Sequence, residues 1–232
     1  MALVKYGGGV AAMSGKLGGN VFAHNRNGSY CRTWKKPTNP QSSRQIVARA
    51  ALATAAAAWE SLTPSQRSGW NAYAGQVPVM NRLGESQYLS GFNMFLRTLC
   101  VTELIGAAQV SDAPQVFTLP DPPTTFTPTI SEATQLVSVV FTNTDPWAAE
   151  TGGYMVVHCS MPFSAGRTYF GGQSRYVGKI IGATSTPPTS PQTFAVPWAV
   201  AEDQLVRVHC RVIRADGRLS NPFRSGNITV GS

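Results

Sequence analysis

The chain has 232 residues, enough for two domains or for one domain with an extended segment. Apolar residues make up 43% of it and can fill a core, whereas charged residues make up 13%, about half the usual share. No apolar run approaches the ~18 residues that span a bilayer, and the N-terminus lacks the apolar stretch of a secretory signal. We therefore expect neither a membrane span nor a signal peptide.

The positive charge lies in the N-terminal half of the chain. Residues 1–106 contain eleven Lys or Arg and three acidic residues, of which Glu60 is the first. Residues 107–232 contain eight of each sign, so the net charge of +8 belongs entirely to the first half. This asymmetry predicts two parts with different roles.

Residues 1–37 are predicted to form a glycine-rich basic arm with a β-hairpin. Residues 1–19 show no periodic apolar pattern, so we expect them to be extended and to become ordered only against a partner. The pair Asn27-Gly28 favours a tight turn between the strands NVFAH and YCRTW, with Val21 opposite Trp34. A hairpin alone is only marginally stable, so this one is expected to lie on a neighbour.

The arm also holds the candidate partner-binding residues, because it combines basic and aromatic side chains with no acidic ones. These residues are Lys16, Arg26, Tyr30, Arg32, Trp34, Lys35 and Lys36. They suit phosphates and stacked bases of a nucleic acid, or an acidic protein surface on which Arg and Trp are favoured anchors. Composition alone does not separate the two partners. The modest charge and the placement in a hairpin rather than a recognition helix favour protein.

Residues 38–106 are predicted to form a three-helix body. The first helix is expected to begin with Asn39 as its cap and Pro40 at its first position. Its narrow stripe, which suits a close contact with another helix, consists of Ile46, Ala50, Ala53 and Ala57. The second helix starts with a capping box from Thr63 to Gln66, and Trp70 and Tyr73 lie one turn apart on it. The third helix ends at Gly106, and its inward residues are expected to be Phe92, Phe95, Leu96 and Leu99.

The pattern changes after the helices. Residues 107–129 contain five prolines and are predicted to be a semi-rigid linker. Residues 130–232 alternate with period two in several short segments separated by Gly, Pro, Asn and Ser, which predicts an antiparallel β-sandwich. The whole chain is therefore expected to be an α+β multidomain protein.

No pattern of residues indicates catalysis, a cofactor or a metal. The sequence has no nucleophile elbow, zinc-protease motif, phosphate loop or spaced carboxylate pair. His158 and His209 share the tripeptide VHC and are expected side by side on the outer face of two strands, with Cys159 and Cys210 inward. The four dispersed cysteines are expected to be reduced thiols. We expect a protein that is not an enzyme.

Two parts of the chain resemble known families. The motifs SGKLGGNVFAHNRNGSYCR, NPQSSRQ, AWESLTPSQRSGWNAYA and LSGFNMFLR, which cover about Lys16 to Arg97, resemble a group of uncharacterised tailed-bacteriophage and prophage virion structural proteins. The segment QLVRVHCRVIRADGRLSNP, with LVSVVFTNTDP and GGYMVVHCS, resembles fibronectin type III domains over roughly Pro128 to Ser232. No tryptophan occupies the early core strand of that Ig-like pattern, so Val139 or Phe141 would take its place.

The first resemblance implies a virion protein that is assembled in the host cytoplasm. We expect an accessory capsid protein of the decoration or cement type, or a tail or neck protein, present in many copies or as a homo-oligomer. Its partners would be major capsid or tail and neck subunits, bound by the N-terminal arm. A nucleic-acid-binding protein that uses the basic half is the alternative. The fibronectin resemblance implies binding or spacing and no particular chemistry.

Overall fold

The computed structural model describes residues 2–25, 28–81, 85–167 and 172–232. The protein is α+β, and the described residues form three helices and several antiparallel sheets. The chain forms two compact units, Met1–Val47 and Ala48–Ser232. This division differs from the four parts expected from the sequence, because the helices and the β-strands of the second unit pack on each other.

The first unit is a four-stranded antiparallel sheet in the order β1-β4-β3-β2. Its strands are β1 (Ala2–Leu3), β2 (Gly15–Leu17), β3 (Asn20–Asn25) and β4 (Gly28–Thr33). The segment expected to be extended thus supplies both edge strands. β2 joins β3 through Gly18 and Gly19, and Gly18 has a φ of 55°, which glycine adopts without a steric cost.

The hairpin of β3 and β4 forms where the sequence predicted it, but the predicted register is wrong. Val21 pairs with Arg32 rather than with Trp34, and Asn25 pairs with Gly28. The residues between the two strands, Arg26 and Asn27, lie outside the described residues. Because the error is two residues, the alternation of faces that the sequence predicted is preserved.

Helices and one short strand pair begin the second part of the chain. They are α1 (Ser43–Ser61), α2 (Pro64–Gln76), β5 (Val79–Met80), β6 (Ser86–Gln87) and α3 (Gly91–Ile105). The predicted capping box of α2 is confirmed: the Thr63 hydroxyl accepts from the Gln66 N–H, and the Gln66 side-chain oxygen accepts from the Thr63 N–H. Gly106 ends α3 as predicted, with a φ of 61°.

The expected start and contact face of α1 are both wrong. The helix begins at Ser43 and not behind Asn39 and Pro40, because Gln41 has a φ of 48°, outside the helical region. The small-residue stripe is exposed in this chain, including Ile46 at 53%. The inward face instead carries Ala55, the one fully buried residue of α1, together with Ala58 and Trp59.

Aromatic rings form the core of the helical region. Trp70, Tyr73 and Phe95 are buried, and the Trp70 ring centroid lies 5.3 Å from that of Phe95 in an edge-on arrangement. Leu99 is buried and Leu96 is partly buried, as predicted. Phe92 is exposed, which contradicts the prediction, and its ring contacts the edge of Trp59 while Met94 is buried.

The proline-rich segment is packed against the helices rather than being a free spacer. The Trp70 indole N–H donates to the Ser111 carbonyl at 3.0 Å, and Ala113 is buried in the helical core. The Phe117 ring lies 6.3 Å from that of Tyr73. The next β-strand begins at Phe126. The last residues of the predicted linker, 126–129, therefore belong to a sheet.

The described residues of the rest of the chain contain nine β-strands, which pair in antiparallel sheets. The strands are β7 (Phe126–Ser131), β8 (Leu136–Phe141), β9 (Tyr154–Ser160), β10 (Ser174–Ile181), β11 (Gln192–Ala195), β12 (Leu205–Val206), β13 (Val208–Ile213), β14 (Phe223–Arg224) and β15 (Ile228–Thr229). One sheet has the order β10-β9-β13-β14 and another the order β11-β8-β7, while β12 pairs with β15. The two larger sheets contribute to one core, in which Val139, Val157 and Cys210 are each 0% exposed.

Helix α3 connects the helical core to the sheets. Its last residue, Ile105, packs with Val156 and Ile213 of the sheet β10-β9-β13-β14. These residues lie on the face of that sheet that points away from the shared core. Arg97 donates to the backbone carbonyls of Leu219 and Ser220 at 2.7 and 2.9 Å, and the Lys179 ammonium donates to the Ile105 carbonyl at 2.6 Å. No helix in the described part of the chain is long and apolar enough to cross a membrane.

Gly178 tests how closely the two larger sheets approach each other. A Cβ at this position in β10 would overlap the ring of Phe194 in β11. We expect Gly178→Ala to lower the free energy of unfolding by about 2 kcal/mol, measured by urea denaturation, because the ring must move out of a packed core.

Gly226→Ala is the matched control, since a Cβ at Gly226 has no atom within 4 Å and its φ is not positive. Equal stabilities of the two variants would contradict the close packing of Phe194 on Gly178.

Candidate partner-binding site

The sheet of the first unit has no buried side chain. Every described residue from Ala2 to Ala50 is exposed or only partly buried, and the first buried residue of the chain is Ala55. A stable sheet normally packs one face on a hydrophobic layer, and burial of one large apolar side chain contributes about 1.5–3 kcal/mol. The apolar side chains of the first unit, such as Val21, Phe22 and Tyr30, are only partly buried within this chain, so a covering surface would stabilise the sheet further.

The two faces of this sheet differ in charge. The register puts Lys16, Val21 and Arg32 in one row across three strands, and Leu3, Ala23 and Tyr30 in the next. Trp34 extends the same face beyond β4, where its backbone N–H donates to the Gly19 carbonyl at 2.7 Å. We call this surface the basic face; it is defined by Lys16, Tyr30, Arg32 and Trp34.

The opposite face is neutral. The pairs Phe22–Cys31 and His24–Ser29 lie on it, and the strands contribute no Lys or Arg to it. The imidazole Nδ1 of His24 is 3.3 Å from the Ser29 hydroxyl. The positive charge of the described strands is therefore concentrated on one side of the sheet, together with Tyr30 and Trp34.

The structure brings four of the seven predicted binding residues together on the basic face. The Lys16 ammonium lies 4.0 Å from the centroid of the Trp34 ring, a cation–π contact that holds the indole in place. Trp34 is nevertheless 54% exposed. Lys35 and Lys36 follow β4 and are exposed, so they extend the positive charge past the sheet. Arg26 lies outside the described residues.

The first unit is strongly basic. Its sequence contains seven Lys or Arg and no Asp or Glu up to Val47. Like charges would repel a second copy of the same surface, whereas an acidic surface would be attracted and steered into contact. The basic face is suited to an acidic partner that also covers aromatic surface.

The prediction did not include β2, although a sequence signal for it exists. Lys16 and Leu17 precede Gly18-Gly19, and Gly-Gly is a favoured two-residue hairpin turn. This signal would have placed Lys16 on a strand beside Val21, as the structure does.

The histidine pair was the other candidate for chemistry. His158 of β9 and His209 of β13 are directly opposite, as predicted, and their rings stack 4.8 Å apart at 7°. The prediction that they face solvent is wrong, because both are partly buried and Nδ1 of His158 has no hydrogen-bond partner among the described atoms. Burial, with the nearby charge of Arg211, lowers the pKa of each imidazole to about 4.

No metal or nucleophile accompanies this pair. Within the described ranges, no group of three His, Cys, Asp or Glu residues could hold a metal ion. Cys159 and Cys210 are buried and face inward, as predicted, and burial raises the pKa of both thiols to about 12. Since the thiolate is the reactive form, both side chains act as packing residues. All four cysteines of the chain are free thiols.

No protein-family model matches this sequence, and no curated protein is similar to it. The geometry and charge of the basic face are therefore the main structural observations that bear on function.

The histidine pair makes the stability of the protein depend on pH. In the unfolded chain a histidine takes up a proton near pH 6.5, whereas the folded pair does so only near pH 4. The unfolded state therefore binds more protons between these values. We expect the free energy of unfolding to fall by a few kcal/mol as the pH is lowered through this range, measured by urea denaturation at several pH values.

In the double variant His158→Gln, His209→Gln this slope should become much shallower, because the two titrating groups are removed. An identical slope in the wild type and the double variant would show that other groups cause the acid sensitivity.

Proposed function

We propose that this chain is a structural component of a tailed-phage virion, either an accessory capsid protein or a tail or neck protein, that attaches through its first unit. The observation that carries the proposal is a four-stranded sheet that buries no side chain and has one basic, aromatic face. Such a sheet gains most of its stability when another surface covers it. The resemblance of residues Lys16 to Arg97 to virion structural proteins supplies the class of assembly.

The basic face has the composition of an interface anchor. Arginine, tryptophan and tyrosine are the residues that most often dominate binding energy, and Arg32, Trp34 and Tyr30 share this face. Lys35 and Lys36 would lie at the rim, where exposed charges mainly accelerate association. The proposed partner is an acidic surface of a capsid, tail or neck subunit.

Nucleic acid remains the second candidate, favoured by the lack of acidic residues before Glu60. Single-strand binders stack bases on open aromatic rings. Here the Lys16 ammonium covers one side of the Trp34 ring at 4.0 Å, so that side is closed to a base. This contact favours a protein partner.

The β-strands of the second unit would form the displayed part of the protein. We propose that the two sheets around Val139 and Val157 are an Ig-like sandwich of the fibronectin type III kind, as the sequence resemblance implies. The strands Leu136–Phe141 and Tyr154–Ser160 contain no acidic or basic residue other than His158, which suits the inner strands of a sandwich.

Charge reversal on the basic face tests the proposal. We expect Arg32→Glu to reduce incorporation of the chain into particles at least tenfold, measured by quantitative mass spectrometry of particles from a phage complemented with each variant. The physical reason is that an introduced carboxylate repels an acidic partner at the centre of the contact.

Arg167→Glu is the matched control, because Arg167 is an exposed arginine of the second unit. It changes the net charge equally and should leave incorporation unchanged. Equal incorporation of both variants, or absence of the chain from purified particles, would refute the proposal. If wild-type protein binds DNA with a steep salt dependence that Arg32→Glu removes together with function, nucleic acid is the partner.

A further inference from the structure

The sheet β10-β9-β13-β14 has an outer face with positive charge and no counter-charge of its own. Its four strands contain no Asp or Glu. Lys179, Arg211 and Arg224 all belong to these strands, and the Lys179 ammonium is bound to the Ile105 carbonyl. In contrast, Arg211 and Arg224 make no side-chain hydrogen bond or ion pair with the described residues.

Three arginines from different elements belong to this face. Arg224 of β14 is directly opposite His209 of β13, so its side chain starts on the outer face. Arg211 is two residues from His209 on the same side of β13. Arg97 comes from α3 and is fixed by its bonds to the Leu219 and Ser220 carbonyls.

The positive charges influence one another. Burial lowers the pKa of Arg97 to about 10, and repulsion from Arg211 contributes to the same shift. Burial, together with the charge of Arg224, also lowers the pKa of Arg211. These mutual shifts agree with the register and the hydrogen bonds, which bring all three arginines to the same face.

Neighbouring arginines show how the chain normally neutralises such charges. Arg214 makes a two-bond ion pair with Glu150 at 2.6 and 2.7 Å, and Arg218 pairs with Asp216 at 2.7 Å. In contrast, no described carboxylate forms an ion pair with Arg97, Arg211 or Arg224. A partly buried cluster of like charges is unfavourable unless an anion is supplied from outside.

We propose that Arg97, Arg211 and Arg224 form a binding site for a phosphate-class anion on the outer face of this sheet. A planar carboxylate is satisfied by a single two-pronged arginine, as Glu150 is by Arg214. Cations from three separate elements match a tetrahedral anion, which accepts hydrogen bonds from several directions. The site is separate from the basic face and does not depend on the proposed function.

Titration of the full chain with inorganic phosphate tests the site. Isothermal calorimetry at constant ionic strength, with sodium chloride as the balancing salt, gives the affinity, and NMR of the His209 ring protons gives the location. We expect saturable binding with a shift of these resonances. Arg224→Gln should weaken the affinity about tenfold or more, because it removes charge-assisted hydrogen bonds.

Arg224 is exposed, so its replacement should leave the fold intact, and the thermal midpoint of the variant without phosphate checks this. Arg44→Gln removes the same charge from the first unit and should leave the affinity unchanged. Absence of binding, binding that Arg224→Gln does not weaken, or binding without a shift at His209 would overturn the site. Acetate binding as tightly as phosphate would overturn the assignment to phosphate.

Discussion

A β-sheet is held together by hydrogen bonds between its strands and by the apolar side chains that one face removes from water. The first unit of this protein has the hydrogen bonds, but its described apolar side chains are at most partly buried. Because each backbone hydrogen bond contributes only about 1 kcal/mol net in water, ladder bonds alone give a marginal sheet. A surface that covers the basic face would supply the missing apolar contact through Trp34 and Tyr30, and the opposite charge for Lys16 and Arg32. The lack of fully buried side chains among the described residues of this unit is thus the observation on which the proposed attachment rests.

The second unit buries the apolar side chains of its sheets and helices within its own cores. Helix α3 packs Phe95 and Leu99 into the aromatic core of the helices and Ile105 against the outer face of a sheet. Arg97 and Lys179 then bond to backbone carbonyls on either side of this contact. The second unit thus has a hydrophobic core of its own, which the described residues of the first unit lack.

The features that could be predicted from the sequence are those that local chemistry decides. The Thr63–Gln66 capping box, Gly106 at the end of α3 and the inward Cys210 of β13 each need only a few neighbouring residues, and all three are confirmed. The hairpin register was wrong by two residues, because a preferred turn pair such as Asn27-Gly28 does not by itself fix the register of the strands that it joins. The hairpin residues of the basic face were still predicted to lie on one side of the hairpin, because a register shift of two residues keeps every side chain on the same face.

The features that the sequence could not predict depend on contacts between distant residues. The proline-rich segment looked like a spacer, yet Ser111 and Ala113 are held by Trp70 and the helical core. Phe92 and Met94 are both apolar and lie two positions apart, so only the packing of α3 decides that Met94 is the buried one. The arginine cluster joins residues more than 100 positions apart, Arg97 with Arg211 and Arg224, and no local pattern indicates it.

Hydrogen–deuterium exchange, compared between the free chain and the chain in purified particles, tests the central claim most directly. It measures the opening of individual backbone hydrogen bonds and so reports the stability of each sheet separately. The account predicts fast exchange of the β3 and β4 amides in the free chain, slow exchange of the β8 and β9 amides, and strong protection of β3 and β4 once the chain is in a particle. If the β3 and β4 amides were as protected in the free chain as those of β8 and β9, the first unit would be stable without a partner and the account would be contradicted.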